Sequence, residues 1–239
     1  MKLPEFLNPA RRCRAGTFAA VALVSTVLGF ATTGCRAGGS GGGAGPTAVA
    51  VTGLEGGSLV FSDDFDGASL SDAWRARGDA WGVEDGWVRV QGARNDALWL
   101  SVPLPERVRV EFRAKSLSQD GDIKFEIFGD GATHESGYVG IFGGWNNRLN
   151  IIARLDEHGD DRVVGAEGRS VEIGREYAHA IVRDGDAVRW YIDGEHFLSF
   201  EDEAPLRGAA HAHFGFNNWD SDLRFTGFRV YDLAAVPEP

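Results

Sequence analysis

The chain has 239 residues, a quarter of them charged and 43% apolar, which suits one large β domain or two small ones. The formal net charge is −11; Lys2, Arg11, Arg12 and Arg14 against Glu5 give the segment before Cys35 a net +3, so the remainder carries −14. An acidic body argues against a nucleic-acid partner and against docking on anionic lipid through the folded part, because both need clustered Lys and Arg. The two cysteines are Cys13 and Cys35, so beyond Cys35 there is no disulfide, no Cys zinc site and no Cys nucleophile.

Residues 1–14 are polar and basic, and Ala15 to Gly34 carries no charge, with a strongly apolar stretch from Val21 to Phe30. A positive flank, an apolar stretch and then small residues is the pattern of an export signal. Ala31-Thr32-Thr33-Gly34-Cys35 resembles the lipobox of bacterial lipoproteins, although Thr32 stands where that family prefers Leu, Val or Ile. The resemblance implies that Cys35 becomes the lipidated first residue of an exported, membrane-anchored chain on the periplasmic or surface face of the cell envelope. The alternative is an uncleaved signal anchor, since about 20 uncharged residues can span a bilayer. Arg11-Arg12 lacks the flanking pattern of a twin-arginine signal. Residues 35–57 are Gly-rich, with little apolar surface to offset the entropy of ordering, and are expected to form a flexible tether reaching roughly 25 Å.

The folded body is expected over residues 58–233, with 234–239 as a frayed tail. Leu59 to Phe61 reads as a first strand, followed by an acidic turn, Asp63 to Gly67, and a helical turn capped by Ser71 that ends at Trp74. Ala80 to Val90 holds two short runs across Asp85-Gly86, and Ala97 to Ser101 is another run. Alternation is clear at Val108, Val110 and Phe112, at Ile123, Phe125 and Ile127, and at Leu149, Ile151 and Ala153. Tyr177 to Phe200 carries two Asp-Gly steps, Asp184-Gly185 and Asp193-Gly194, between three β-branched and aromatic runs. Asp-Gly tolerates the positive φ of a tight hairpin, so this stretch predicts a three-stranded antiparallel meander. Ala212, Phe214 and Phe216, then Leu223 to Asp232, close the chain. About a dozen short strands with no helical period predict an all-β sandwich or barrel in one domain.

Phe61-Ser62-Asp63-Asp64-Phe65-Asp66 and Trp81-Gly82-Val83-Glu84-Asp85-Gly86-Trp87 resemble the entry to concanavalin A-like lectin/glucanase domains. Trp190-Tyr191-Ile192-Asp193-Gly194-Glu195 resembles the Asp-Gly hairpin of laminin-G-like members, and Phe225 to Leu233 resembles their closing strand. The resemblance covers Ser58 to Leu233. It implies a jelly-roll sandwich of two curved antiparallel sheets, with any glycan site on the concave sheet or its rim. The superfamily holds lectins, glycosidases, 3-keto-disaccharide hydrolases and binding modules, so the fold does not fix the activity.

The laminarinase-like hydrolases of that superfamily carry Glu-x-Asp-x-x-Glu on one strand. Here the comparable strand reads Asp122-Ile123-Lys124-Phe125-Glu126, with Lys124 between two carboxylates that an extended strand sets about 13 Å apart. That separation argues against a retaining pair. The polar sides of Arg109, Glu111 and Arg113 read as a solvated face of alternating charge. For Glu126, Asn150, Arg154, His211 and His213 two readings stay open: a solvated face, or a groove that hydrogen-bonds sugar hydroxyls. In a strand His211 and His213 would share a side; with Glu126 they form the acid/base set of an alternative reading as a hydrolase or lyase of 3-keto or related glycosides. Trp145 and Asn146 lie in one polar loop, Asn217 and Trp219 in another, and loop indoles beside amides suit a sugar-binding rim. Asp63, Asp64 and Asp66 with Asp220 or Asp222 could hold calcium, but a turn explains the same residues. No metal or other cofactor is assigned. The expectation is a membrane-anchored extracytoplasmic β-sandwich that binds carbohydrate through Trp145, Asn146, Asn150, Arg154, Asn217 and Trp219; a surface interaction module without a glycan is the third reading.

Overall fold

The computed structural model describes residues 56–234. The export signal, Cys35 and nearly all of the tether, and the tail from 235, lie outside the described residues. No helix among the described residues is long and apolar enough to cross a membrane.

Among the described residues fifteen strands follow in order: β1 Ser58–Asp63, β2 Trp74–Arg75, β3 Trp81–Glu84, β4 Trp87–Val90, β5 Leu98–Leu100, β6 Val108–Ser116, β7 Ile123–Gly129, β8 Tyr138–Gly143, β9 Leu149–Arg154, β10 Val163–Val164, β11 Tyr177–Asp184, β12 Ala187–Ile192, β13 Glu195–Glu201, β14 His213–Asn217 and β15 Leu223–Asp232. They form two antiparallel sheets. One has eight strands in the order β13-β12-β11-β6-β15-β4-β3, with β1 also paired to β15. The other has seven, in the order β10-β9-β8-β7-β14-β5-β2. The fold is therefore all-β, a sandwich in which distant segments such as β6 and β15 are neighbours.

The meander is present as β11-β12-β13, with His179 opposite Ile192 and Val188 opposite Phe200. Asp193 (φ 54°) and Gly194 (φ 81°) make the two left-handed residues of the β12–β13 turn, the arrangement that matches strand twist. Ser71 does cap a turn, its carbonyl accepting from Trp74 N at 3.0 Å, but Trp74 begins β2 rather than ending a helix.

The layers meet over one aromatic core. Phe112 of β6 packs on Phe125, Phe214, Phe216 and Phe225 at centroid distances of 5.2–6.2 Å. Trp190 stands edge-on to Phe125 at 4.9 Å. On β7 the residues Ile123, Phe125 and Ile127 face this core, so Lys124 and Glu126 face away from it. Phe128 joins the core against that parity because a bulge intervenes: pairing steps from Ile127–Phe214 to Gly129–His213, and Phe128 takes φ 59°.

The outer face of the seven-stranded sheet is also covered. Val139 and Ile141 of β8 and Ile151 and Ala153 of β9 form a second apolar cluster, topped by Trp145 and Leu149. On the outer face of the eight-stranded sheet Arg113 pairs with Glu176 at 2.7 Å, as expected of a solvated face. Arg109 departs from that expectation: it is buried, bonded to Glu111 at 2.7 Å, with its guanidinium 4.2 Å from the Tyr231 ring centroid.

Candidate functional site

A groove of about 530 Å³ opens on the outer face of the seven-stranded sheet. Its walls include Trp145, Asn146 and Trp219, from loops more than 70 residues apart in sequence; its polar lining includes Asp122, Lys124 and Glu157.

Trp145 is set by an unusual turn. Gly144–Asn147 is a single turn in which Trp145 (φ 50°), Asn146 (φ 59°) and Asn147 (φ 60°) are all left-handed. That conformation is costly for a side chain as large as indole, so surrounding bonds must hold it. Asn147 supplies two, accepting from Val171 N at 2.8 Å and donating to Val171 O at 2.7 Å. Asn150 supplies three more: its Oδ1 accepts from Gly143 N at 2.9 Å, and its Nδ2 donates to Ala166 O at 3.0 Å and Arg169 O at 2.9 Å. The Trp145 ring stands edge-on to His158 at 5.4 Å, with the Arg162 guanidinium 5.5 Å from its centroid.

Trp219 is held by its backbone and leaves its ring free. Its N–H donates to Asp122 Oδ2 at 2.9 Å, it bridges to Arg94, and the side chain is 54% exposed. Burial pushes the Asp122 carboxyl up to about 7, against the opposing pull of Lys124 and the Trp219 N–H.

Beneath and beside the groove lies a buried polar layer. The Lys124 ammonium rests on Glu157 and donates to Asn95 Oδ1 at 2.7 Å. Glu126 has no exposed surface. Its Oε1 accepts from Asn217 Nδ2 and from His134 Nδ1, each at 2.6 Å, and its Oε2 accepts from Glu135 N at 2.9 Å.

The residues singled out from sequence thus separate. Trp145, Asn146 and Trp219 share the groove. Asn217 is fully buried under it, spanning Glu126 and Asn218 N. Asn150 and Arg154 lie at the parity of Ile152, a core residue, and so point to the interior side of the sheet. Asn150 is consumed by the three bonds above, and Arg154 by Asp202 at 2.9 Å. His211 lies in the turn before β14, not in the strand, so the alternation that would align it with His213 does not apply. His211 donates to Ser136 O and His213 to Leu100 O, both at 2.9 Å. Neither is a partner of Glu126; the imidazole there is His134, eight residues away across the β7–β8 connection. Alternation says which residues share a strand face, but not which loop folds back over it, so His134 was not legible.

The acidic turn is bound internally. Asp63 accepts from Phe65 N at 2.8 Å and Trp74 Nε1 at 3.0 Å, Asp64 from Arg229 at 2.6 Å, and Asp220 from Arg94 at 2.7 Å. Among the described residues, the metal-ligating side chains that converge are instead His134, Glu135 and Glu157.

The two antiparallel sheets form a sandwich whose fold is like that of concanavalin A-like lectin/glucanase domains. A carbohydrate binding module CBM66 from Bacillus subtilis superposes with a TM-score of 0.55 at 15% identity, over 67% of this chain and 96% of that one. LamAcat from Zobellia galactanivorans gives 0.53 at 13% identity, over 78% and 100%. The catalytic domain of an endo-1,3-beta-glucanase (laminarinase) from Thermotoga petrophila gives 0.53 at 15% identity, over 75% and 99%. In sequence, an extracellular exo-alpha-L-arabinofuranosidase of Streptomyces chartreusis is 29% identical over 160 residues, 66% of this chain. The matched part is 19% of that enzyme's length. No protein-family model matches the chain.

Proposed function

We propose that the chain is an exported carbohydrate-binding β-sandwich, lipid-anchored through Cys35 and carried on the Gly-rich tether, that grips a glycan between Trp145 and Trp219. The observation that carries this reading is the shared groove: an indole held in a strained left-handed turn faces the same hollow as an indole more than half exposed. Backbone strain of that kind persists where surrounding structure enforces it, and it pre-organises the ring. Flat apolar rings above a polar floor suit sugars, whose rings have apolar faces and hydroxyl edges. The likenesses to a carbohydrate binding module and an extracellular arabinofuranosidase support the same class and export.

The test is a glycan array followed by calorimetry with the best ligand, arabinofuranose polymers and β-1,3-glucans included. Trp145→Ala and Trp219→Ala are each expected to weaken binding at least tenfold, about 1.4 kcal/mol. Unchanged affinity in both variants overturns the groove assignment, and an empty array favours a protein-interaction module.

One observation favours a second reading, cleavage of 3-keto or related glycosides. Asp122, in the groove wall, has its carboxyl raised to about 7, which suits proton exchange at neutral pH. Sugar release from a glycoside panel, abolished by Asp122→Asn, supports that reading; no release from any substrate removes it.

A further inference from the structure

His134 is held in a way that its hydrogen bonds leave unfinished. Glu126 is buried, with both oxygens committed, so it fixes the imidazole through Nδ1–H. In the neutral ring that leaves Nε2 as a bare lone pair. Nε2 is buried and has no hydrogen-bond partner. It lies 3.7 Å from Glu157 Oε2 and 4.0 Å from Glu135 Oε1, both acceptors when ionised. Glu157 Oε2 is met by Lys124 and Glu135 Oε1 by Glu157 N, so Nε2 is the buried polar atom of the three left without a hydrogen bond.

A shared cation completes it. The three donor atoms lie within 4.8 Å of one another. Ligands bound at about 2.0–2.2 Å to one ion stand roughly 3.0–3.6 Å apart, so a small inward movement closes the set. The supporting bonds are also in place. Glu126 orients His134 through the nitrogen opposite the free one, the usual arrangement behind a metal-bound imidazole. Glu135 Oε1 accepts from Glu157 N at 2.7 Å, which ties two of the ligands to each other. Lys124 occupies one side of Glu157 Oε2, and a carboxylate oxygen has a second lone pair to offer.

We propose that His134, Glu135 and Glu157 bind one divalent first-row transition ion, such as Zn²⁺ or Mn²⁺, at the edge of the groove. One imidazole with two carboxylates suits such ions better than Ca²⁺, which takes six to eight oxygens. The site stands independently of the glycan reading.

The test uses the full, untagged chain in mild detergent, stripped with chelator and titrated calorimetrically with ZnCl₂, MnCl₂ and CaCl₂. Saturable binding of one Zn²⁺ or Mn²⁺ per chain is expected, weakened at least tenfold in His134→Ala and in Glu135→Gln. Glu135→Gln keeps an acceptor for Glu157 N, so it decides the matter if His134→Ala fails to fold by circular dichroism. No saturable binding, binding of Ca²⁺ alone, or an affinity unchanged in Glu135→Gln overturns the proposal.

Discussion

The main-chain N–H of Trp219 donates to Asp122 Oδ2 at 2.9 Å, so a carboxyl just before β7 sets the position of an indole 97 residues later. The same carboxyl is buried and raised from 3.8 to about 7. Between those values the folded chain holds a proton that the unfolded chain has lost, so stability falls as pH rises from about 4 to about 7. The full effect is on the order of a few kcal/mol. Asp122→Asn keeps an acceptor for Trp219 and carries no charge. It is expected to be more stable than the parent at pH 8, with the gap closing below pH 4, measured by urea unfolding across pH.

His179 gives the opposite slope. It accepts from Trp190 Nε1 at 3.1 Å and stacks on Phe112 at 4.8 Å, and burial pushes its pKa down from 6.5 to about 3. Between those values the unfolded chain binds a proton that the folded chain refuses, so this contribution is present above pH 6.5 and is lost as pH falls toward 3. Its NMR ring resonances should stay constant from pH 8 to pH 4. In Asp122→Asn, with the opposing group gone, the acid-side loss should appear more steeply between pH 6.5 and 4.

Asn150 acts on the groove from behind. Asn150→Ala leaves Gly143 N, Ala166 O and Arg169 O without their partner and should cost about 2–4 kcal/mol. Glycan affinity should fall too, because the turn carrying Trp145 loses its support. Arg154→Ala is the contrast: Asp202 keeps Tyr138 OH at 2.7 Å, so a loss of about 1 kcal/mol with unchanged glycan affinity is expected. Gly143→Ala should resemble Asn150→Ala, since φ is 74° and an added Cβ would sit 2.5 Å from Asn147 Oδ1. Thermal melts and calorimetry of the three variants check the set.

The groove carries more acidic than basic side chains. Asp120, Glu157 and Asp220 line it against one lysine, Lys124, with Glu157 paired to Lys124 and Asp220 to Arg94. Sulfated and uronic-acid glycans should bind at least tenfold more weakly than neutral ones of the same length, and raising the salt from 20 to 500 mM, a change of several-fold in screening length, should narrow that difference. Equal binding of both classes on the array would contradict this.

The strands and the sandwich were legible in the sequence because their causes are local. Period-two alternation at Val108–Phe112 and Ile123–Ile127, and Asp193-Gly194 with its left-handed φ values, act within a few residues. Bringing Trp145 and Trp219 to one groove needed the β7–β14 pairing, which no local signal carries. Alternation also leaves undecided which face of a strand is covered. Asn150 and Arg154 looked like a polar outer face, yet they share the parity of core Ile152, while Ile151 and Ala153 lie outside under Trp145. His211 and His213 looked paired, but the strand begins only at His213, and it is His134 that reaches Glu126. Side-chain direction along a strand is set by neighbouring residues; which loop closes over that side is set by contacts tens of residues apart, and only the packed chain decides them.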